Sequence, residues 1–247
     1  KIVDGKSGDI VYEHLAVNKR LLPNQNIDGG TWMRIWSMSK LVTISLAMDL
    51  MEEGLFYLDD PVHKYIPEFS NLMVAVDSNG ESISRSRKVD LDCPHDMVNM
   101  DSVMTVQHLF NHTAGFYYAL TPSKCLNDSL AIKRILQAEN GDQLIDILST
   151  LPLVQQPGQR YFYGMNTSVL GLLLERVTGK SLYQNLKERV TKVYNIEGLA
   201  YIKPQGIELL PTFTGREGNL RKIIDGELDI FGGEVPNYSR DNNLFLG

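Results

Sequence analysis

A chain of 247 residues, 43% hydrophobic and 22% charged, has the composition of a folded globular protein and is long enough for one large domain, so disorder is excluded as the default. A formal net charge of −6 argues against a nucleic-acid or anionic-membrane surface, and no apolar run approaches the length of a membrane span. The only cysteines, Cys93 and Cys125, are too few for a disulfide framework or a zinc cluster and are expected as free thiols.

The opening Lys1-Ile2-Val3-Asp4-Gly5 is not a signal peptide, which leaves the compartment open between cytoplasm and export after signal removal. Asp9-Ile10-Val11-Tyr12-Glu13 follows a glycine turn and predicts a strand over 9–15. From Ser37 to about Met51 the apolar residues Leu41, Val42, Ile44, Leu46, Ala47, Met48 and Leu50 cover most of a helix, which is expected to be buried on nearly all sides, with Gly54 closing it. Asp59-Asp60-Pro61 starts a short helix that ends near Pro67. Residues 77–96 are rich in Ser, Asp, Asn and charge and read as an exposed irregular excursion, with Arg85-Ser86-Arg87-Lys88 as a solvated basic loop. Further helices are expected from Thr105 to a break at His112-Thr113-Ala114-Gly115, over Asp142–Leu151, over Thr167–Val177 with Gly179 as its cap, and from Ser181 to about Val193. Beyond Leu199 periodicity fades into loop, including Gly232-Gly233 and 237–243.

Ser37-Met38-Ser39-Lys40 joins a potential nucleophile to a potential base one helical turn away, on the same face. The unpaired N–H groups and positive dipole end of a helix N-terminus favour an alkoxide at Ser37, and a buried lysine there would give up its proton more readily. Sixteen serines and thirteen lysines in 247 residues make roughly one Ser-x-x-Lys by chance, so the motif needs support. Tyr163 enters a largely apolar helix from a loop and can serve as phenolate or relay, although a buried structural tyrosine fits the same position, as it does at Tyr161.

Other chemistries fail on their requirements. His108 and His112 stand four apart, but the glutamate of a metalloprotease helix is replaced by Leu109 and a third ligand is lacking, so no metal is expected. No Gly-x-Ser-x-Gly elbow occurs. Thr178-Gly179-Lys180-Ser181 lacks the first glycine of a phosphate loop and follows a helix rather than a strand, so it reads as a helix cap.

Four landmarks in order then resemble one family. Arg34-Ile35-Trp36-Ser37-Met38-Ser39-Lys40, with Met48 to Gly54 and Leu58-Asp59-Asp60-Pro61-Val62 behind it, is similar to the nucleophile helix and following turn of the serine β-lactamase and penicillin-binding-protein superfamily, in the class C-like branch that includes family VIII carboxylesterases. His112-Thr113-Ala114-Gly115 resembles its His-Thr-[Ser/Ala]-Gly loop, and Gln156-Pro157-Gly158-Gln159-Arg160 with Tyr163 resembles the approach to its tyrosine. The similarity spans about residues 8–200.

The resemblance implies an α/β (α+β) β-lactamase-like fold, a helical region with an antiparallel sheet. It makes 1–247 a single domain, with 1–36 in the first sheet region, 37–200 mainly helical and 201–247 loop-rich. It implies Ser37 as acylated nucleophile, Lys40 as proton partner and Tyr163 as general acid–base group; Phe116 and Tyr118 are expected to line the acyl pocket, although packing aromatics fit these positions equally well, and no cofactor and no metal are expected. Two departures qualify it. The residue two after Tyr163 is Met165, where class C β-lactamases carry asparagine, which favours esters over β-lactams. No Lys-Thr-Gly occurs, and the ending Leu244-Phe245-Leu246-Gly247 resembles the approach to the family's later strands, so the chain is expected to be an N-terminal portion whose C-terminal strands belong to a further segment of the same protein. The expected substrate is a small ester or a β-lactam-like molecule. The alternatives are a β-lactamase, a D-Ala-D-Ala carboxypeptidase, an acyltransferase, or a binding domain of the same fold that has lost turnover.

Overall fold

The structure is a computed structural model that describes residues 1–24, 26–86, 91, 93–132, 135, 138–201, 203–215 and 219–223. Two compact units divide the described residues, one formed by 1–34 with 206–223 and the other within 35–205.

In the first unit, β1 (Ile2–Val3) pairs antiparallel with β2 (Ile10–Tyr12), the centre of the expected strand. The turn between them is closed by Asp4, whose side chain accepts from the N–H groups of Lys6 and Ser7, at 2.8 and 2.9 Å. β5 (Phe213–Thr214) and β6 (Arg221–Lys222) form a second antiparallel pair, and Leu210 N–H donates to Trp32 O at 2.9 Å, tying the two stretches of this unit together.

The second unit is built around two helices. A 3₁₀ turn over Trp36–Met38 leads into α1 (Ser39–Glu52), which ends at Glu53 with Gly54 following at φ +77°, a left-handed position that suits glycine. α1 is not buried all round. Lys40, Thr43, Leu46, Ala47 and Leu50 form its buried stripe, whereas Leu41 is 70% and Met48 48% exposed. The apolar count of the sequence hides this, because a helix needs only one apolar stripe to pack and composition does not say which residues lie outside it.

Turns at Val62–Lys64 and Pro67–Phe69, both 3₁₀, replace the single short helix expected after Pro61. β3 (Met73–Val76) and β4 (Asp96–Asn99) then pair antiparallel from Met73↔Asn99 to Val76↔Asp96. They bracket the predicted excursion, whose middle is not exposed: Ile83 is fully buried and Ser84 N–H donates to Val154 O at 3.0 Å. Arg85 is exposed and pairs with Glu81, while Arg87 and Lys88 lie outside the described residues.

α2 (Val106–Phe110) starts with a capping box in which His108 Nδ1 accepts from the Thr105 N–H at 3.2 Å, and it stops before His112. α3 (Lys124–Ile132) has no counterpart in the elements expected from sequence. Its Asn127, Asp128 and Ser129 are weak helix formers, and the apolar pair Leu126 and Leu130 is too short a pattern to announce it. The expected free thiols are also corrected, because Cys93 and Cys125 form a disulfide between the segment before β4 and the first turn of α3.

α4 (Gly141–Ser149) is capped by Asn140, whose side chain accepts from Gln143 N–H at 2.9 Å. α5 (Asn166–Thr178) is the central element, buried from Asn166 through Leu174 and packed against α1, α2 and α4. It ends where the sequence predicts, at Gly179 with φ +65°. α6 (Leu182–Leu186) has a Ser181–Gln184 capping box and continues as a π turn over Lys187–Thr191, so the Thr-Gly-Lys-Ser stretch is a cap between two helices. Residues 232–233 and 237–243, expected as loop, lie outside the described residues.

Candidate active site

Ser37 occupies the 3₁₀ turn at the entrance to α1 and is exposed, with Lys40 in the first turn of α1 buried beneath it. Trp36, immediately before Ser37, has φ +49°, a left-handed conformation that a bulky residue adopts only under constraint. Lys40 Nζ donates to Ser37 Oγ at 3.1 Å, and Tyr163 Oη donates to the same oxygen at 2.6 Å across 126 positions of chain. Residues from two separate motifs therefore meet at Ser37 Oγ.

Two loops are laced together to bring Tyr163 there. Phe162 N–H donates to His112 O at 2.8 Å, Gly158 N–H to Thr113 O at 2.9 Å, and Val154 N–H to Gly115 O at 3.0 Å. A Cβ on Gly164 would lie 2.1 Å from Phe116 O, and one on Gly115 would lie 2.7 Å from Gln155 O. The backbones at Gly164 and Phe116 cross closely enough that only glycine fits, which fixes Tyr163 relative to the His112–Gly115 loop.

The surroundings are aromatic. The Tyr163 ring stacks on His112 at 5.2 Å between centroids, and Tyr118 tilts against the Tyr163 ring at 5.6 Å. Lys40 Nζ lies 5.1 Å from the Tyr163 centroid and 5.7 Å from that of Tyr118, within cation–π range of both. Tyr118 is buried beside Lys40 and Tyr163, whereas Phe116 turns into the core against Phe69, at 5.4 Å. Tyr161, the other tyrosine of the approach, is 62% exposed and tilts against the His112 ring, at 5.8 Å between centroids.

His112 is the residue that the sequence reading missed. The Asn166 amide nitrogen lies 3.2 Å from its Nδ1, and Thr167 Oγ1 lies 3.3 Å from its Nε2. An amide nitrogen only donates, so Nδ1 accepts and the ring proton sits on Nε2, facing Thr167. Its backbone is also left-handed, at φ +57°. Spacing to His108 suggested only a metal pair, but the first imidazole caps α2 and the second backs Tyr163. The sequence signal that could have flagged it is its place at the head of the His-Thr-Ala-Gly break.

Burial pushes the Tyr163 hydroxyl up, but hydrogen bonding to Ser37 and Lys40 and the lysine charge outweigh it, so the phenol ionises below its ordinary value. Burial, with the Lys40 charge adding to it, lowers His112 to about 4, which keeps it neutral at physiological pH. Met165 is 1% exposed and Asn166 is wholly buried against His112, so neither residue offers an amide to the Ser37 side of the site.

Residues 2–217 match the Beta-lactamase family. The chain is 34% identical over 172 residues to Protein Rv1367c of Mycobacterium tuberculosis, covering 67% of this chain and 39% of that protein. It is 29% identical over 228 residues to ML-236A carboxylate methylbutanoyltransferase mlcH of Penicillium citrinum, covering 86% and 50%. Among solved structures it is similar to Simvastatin Synthase (LovD) from Aspergillus terreus, with a TM-score of 0.61 and 27% identity over 83% of this chain and 50% of that one. EstCE1, a hydrolase with promiscuous acyltransferase activity, shares the fold at a TM-score of 0.63 and 22% identity, covering 87% of this chain and 52% of that one. The chain thus spans half or less of the length of these curated relatives. With the family's serine, lysine and tyrosine landmarks in order, the chain belongs to the beta-lactamase family of serine hydrolases and acyltransferases, in its class C-like branch with the family VIII esterases and LovD-like acyltransferases.

Proposed function

We propose that this chain carries the acylation chemistry of a serine esterase. The reading is carried by one observation, the convergence of Lys40 Nζ and Tyr163 Oη on Ser37 Oγ at 3.1 and 2.6 Å. Tyr163, as phenolate beside the Lys40 charge, takes the Ser37 proton while Oγ bonds to the ester carbonyl carbon. The bond to the alkoxy oxygen breaks, and the alcohol leaves with that proton. Water then attacks the acyl-enzyme and restores the serine. The Ser37 backbone N–H is the candidate oxyanion donor from this chain. Tyr118 supplies the wall beside the acyl group, and Phe116 supports that wall from the core.

Burial of Met165 and Asn166 supports esters over β-lactams, because the position that is polar in class C β-lactamases is here a core methionine. A second reading, acyl transfer to an alcohol in place of water, is supported by the names of relatives such as mlcH and the acyltransferase mokF of Monascus pilosus, the latter 32% identical over 193 residues. Labelling of the protein with a fluorophosphonate is expected to modify Ser37 alone at the active site, and Ser37→Ala is expected to lose both the adduct and turnover of a short-chain aryl ester. Adduct elsewhere, or unchanged turnover in Ser37→Ala, sinks the assignment. Adding an acceptor alcohol and measuring product ester against free acid separates transfer from hydrolysis, and a chromogenic cephalosporin tests the lactam alternative.

A further inference from the structure

The Cys93–Cys125 disulfide sits in a cluster that the serine chemistry does not use. Cys125 N–H donates to Cys93 Sγ at 3.3 Å, and Ser123 Oγ lies 2.5 Å from His95 Nε2 and 3.3 Å from Cys125 Sγ. Both sulfurs and a ring nitrogen of His95 lie within 4.8 Å of one another. We propose that, once its disulfide is reduced, the Cys93–His95–Cys125 cluster is a zinc site.

Three considerations carry this. The donor set is right: two thiolates and an imidazole are soft and borderline ligands that suit zinc, and they fill three of its four tetrahedral positions. The frame does not depend on the sulfur–sulfur bond. His95 directly precedes β4, which is paired along its length with β3. Leu91 N–H donates to Pro122 O at 2.9 Å, and Asn127 clasps Thr121 through its Oδ1, which accepts from the Thr121 N–H and hydroxyl at 3.0 and 2.8 Å. The Cα atoms of Cys93 and Cys125 are 6.2 Å apart, and side-chain rotation alone can set two sulfurs the ~3.8 Å apart that a shared tetrahedral zinc requires. Finally, the buried Ser123 hydroxyl touches His95 and so orients the imidazole, the task of an outer partner at a zinc site. An open groove of about 410 Å³, lined by Cys93, His95, Met97 and Cys125 among others, gives the ion an entry path and leaves room for a water at its fourth position.

The redox step is thiol–disulfide exchange with a dithiol. The Cys93–Cys125 bond breaks, the dithiol is oxidised to its own disulfide, and its two electrons and two protons end on the cysteines. Zinc then displaces those two protons and binds two thiolates and neutral His95. None of this rests on the assignment of Ser37.

The full protein is reduced with dithiothreitol, freed of it by anaerobic gel filtration, and titrated with cobalt(II) alone and then zinc(II) alone. The expected result is one cobalt per cluster, with thiolate-to-cobalt charge-transfer bands and the strong visible bands of a tetrahedral ion, displaced by one zinc. Oxidised protein and Cys125→Ser lose these bands, and His95→Ala, whose disulfide and frame are untouched before reduction, binds at least about tenfold more weakly. Reduced protein that keeps its circular dichroism but shows no charge-transfer bands overturns the proposal. So does a chain that loses its fold on reduction, or an affinity unchanged in His95→Ala. Fluorophosphonate labelling of Ser37 in the same samples reads the esterase assignment independently.

Discussion

Tyr163 is 40% exposed, yet its hydroxyl is held by groups that all favour ionisation except burial itself. If it is the base, kcat/KM for an aryl ester rises with pH along a limb whose inflection falls below the ordinary phenol value of 10.0. Tyr163→Phe is expected to erase that limb and to cost about a hundredfold or more in rate, with Ser37 still present. His112 behaves in the opposite sense. Its folded-state value of about 4 lies below the unfolded 6.5, so the unfolded chain binds the extra proton between these values. Stability is therefore full above pH 6.5 and is lost as pH falls toward 4, by up to about 3 kcal/mol. Urea midpoints across that range check this, and His112→Gln is expected to flatten the curve while lowering stability at neutral pH. The meeting of Ser37, Lys40 and Tyr163 was approachable from the sequence through the Ser-x-x-Lys spacing and the order of the family's landmarks, which between them point to these three positions. His112 was not, since stacking asks only for a flat ring in the right place.

Among the elements, α1 and α5 were readable from apolar content and terminal glycine. Their partners were harder. The paired strands β3 and β4 flank a polar stretch whose composition suggests solvent, yet Ile83 within it is fully buried. A single apolar residue carries no period, so no pattern could reveal it. The crossing of the Gly164 and Phe116 backbones is a tight constraint on the site, since a methyl added at Gly164 would sit 2.1 Å from a carbonyl oxygen that cannot rotate away. Gly164→Ala is expected to force the two loops apart, costing about 3 kcal/mol in stability and lowering kcat for the ester more than KM, because it displaces Tyr163 from Ser37. Chemical denaturation and steady-state kinetics on the same preparation check both.

For the whole molecule, motif order was enough to identify the β-lactamase-like family over about residues 8–200, and the family match runs over residues 2–217. The disulfide was invisible to the same reading, because pairing depends on two Cα atoms coming within reach in the folded chain, 32 positions apart in sequence. By loop-closure entropy such a bond stabilises by roughly 3–4 kcal/mol. The double variant Cys93→Ala, Cys125→Ala is expected to lose about that much in a thermal or urea melt under oxidising conditions, and the native protein under reducing conditions should approach the variant.

The 126 positions between Ser37 and Tyr163 also bear on how the protein is made. During synthesis the serine and its neighbouring lysine leave the ribosome long before the tyrosine that completes them. On the proposed esterase reading, a growing chain carries the Ser37 hydroxyl without its tyrosine through most of its elongation, and the full arrangement exists only once α5 has packed onto α1.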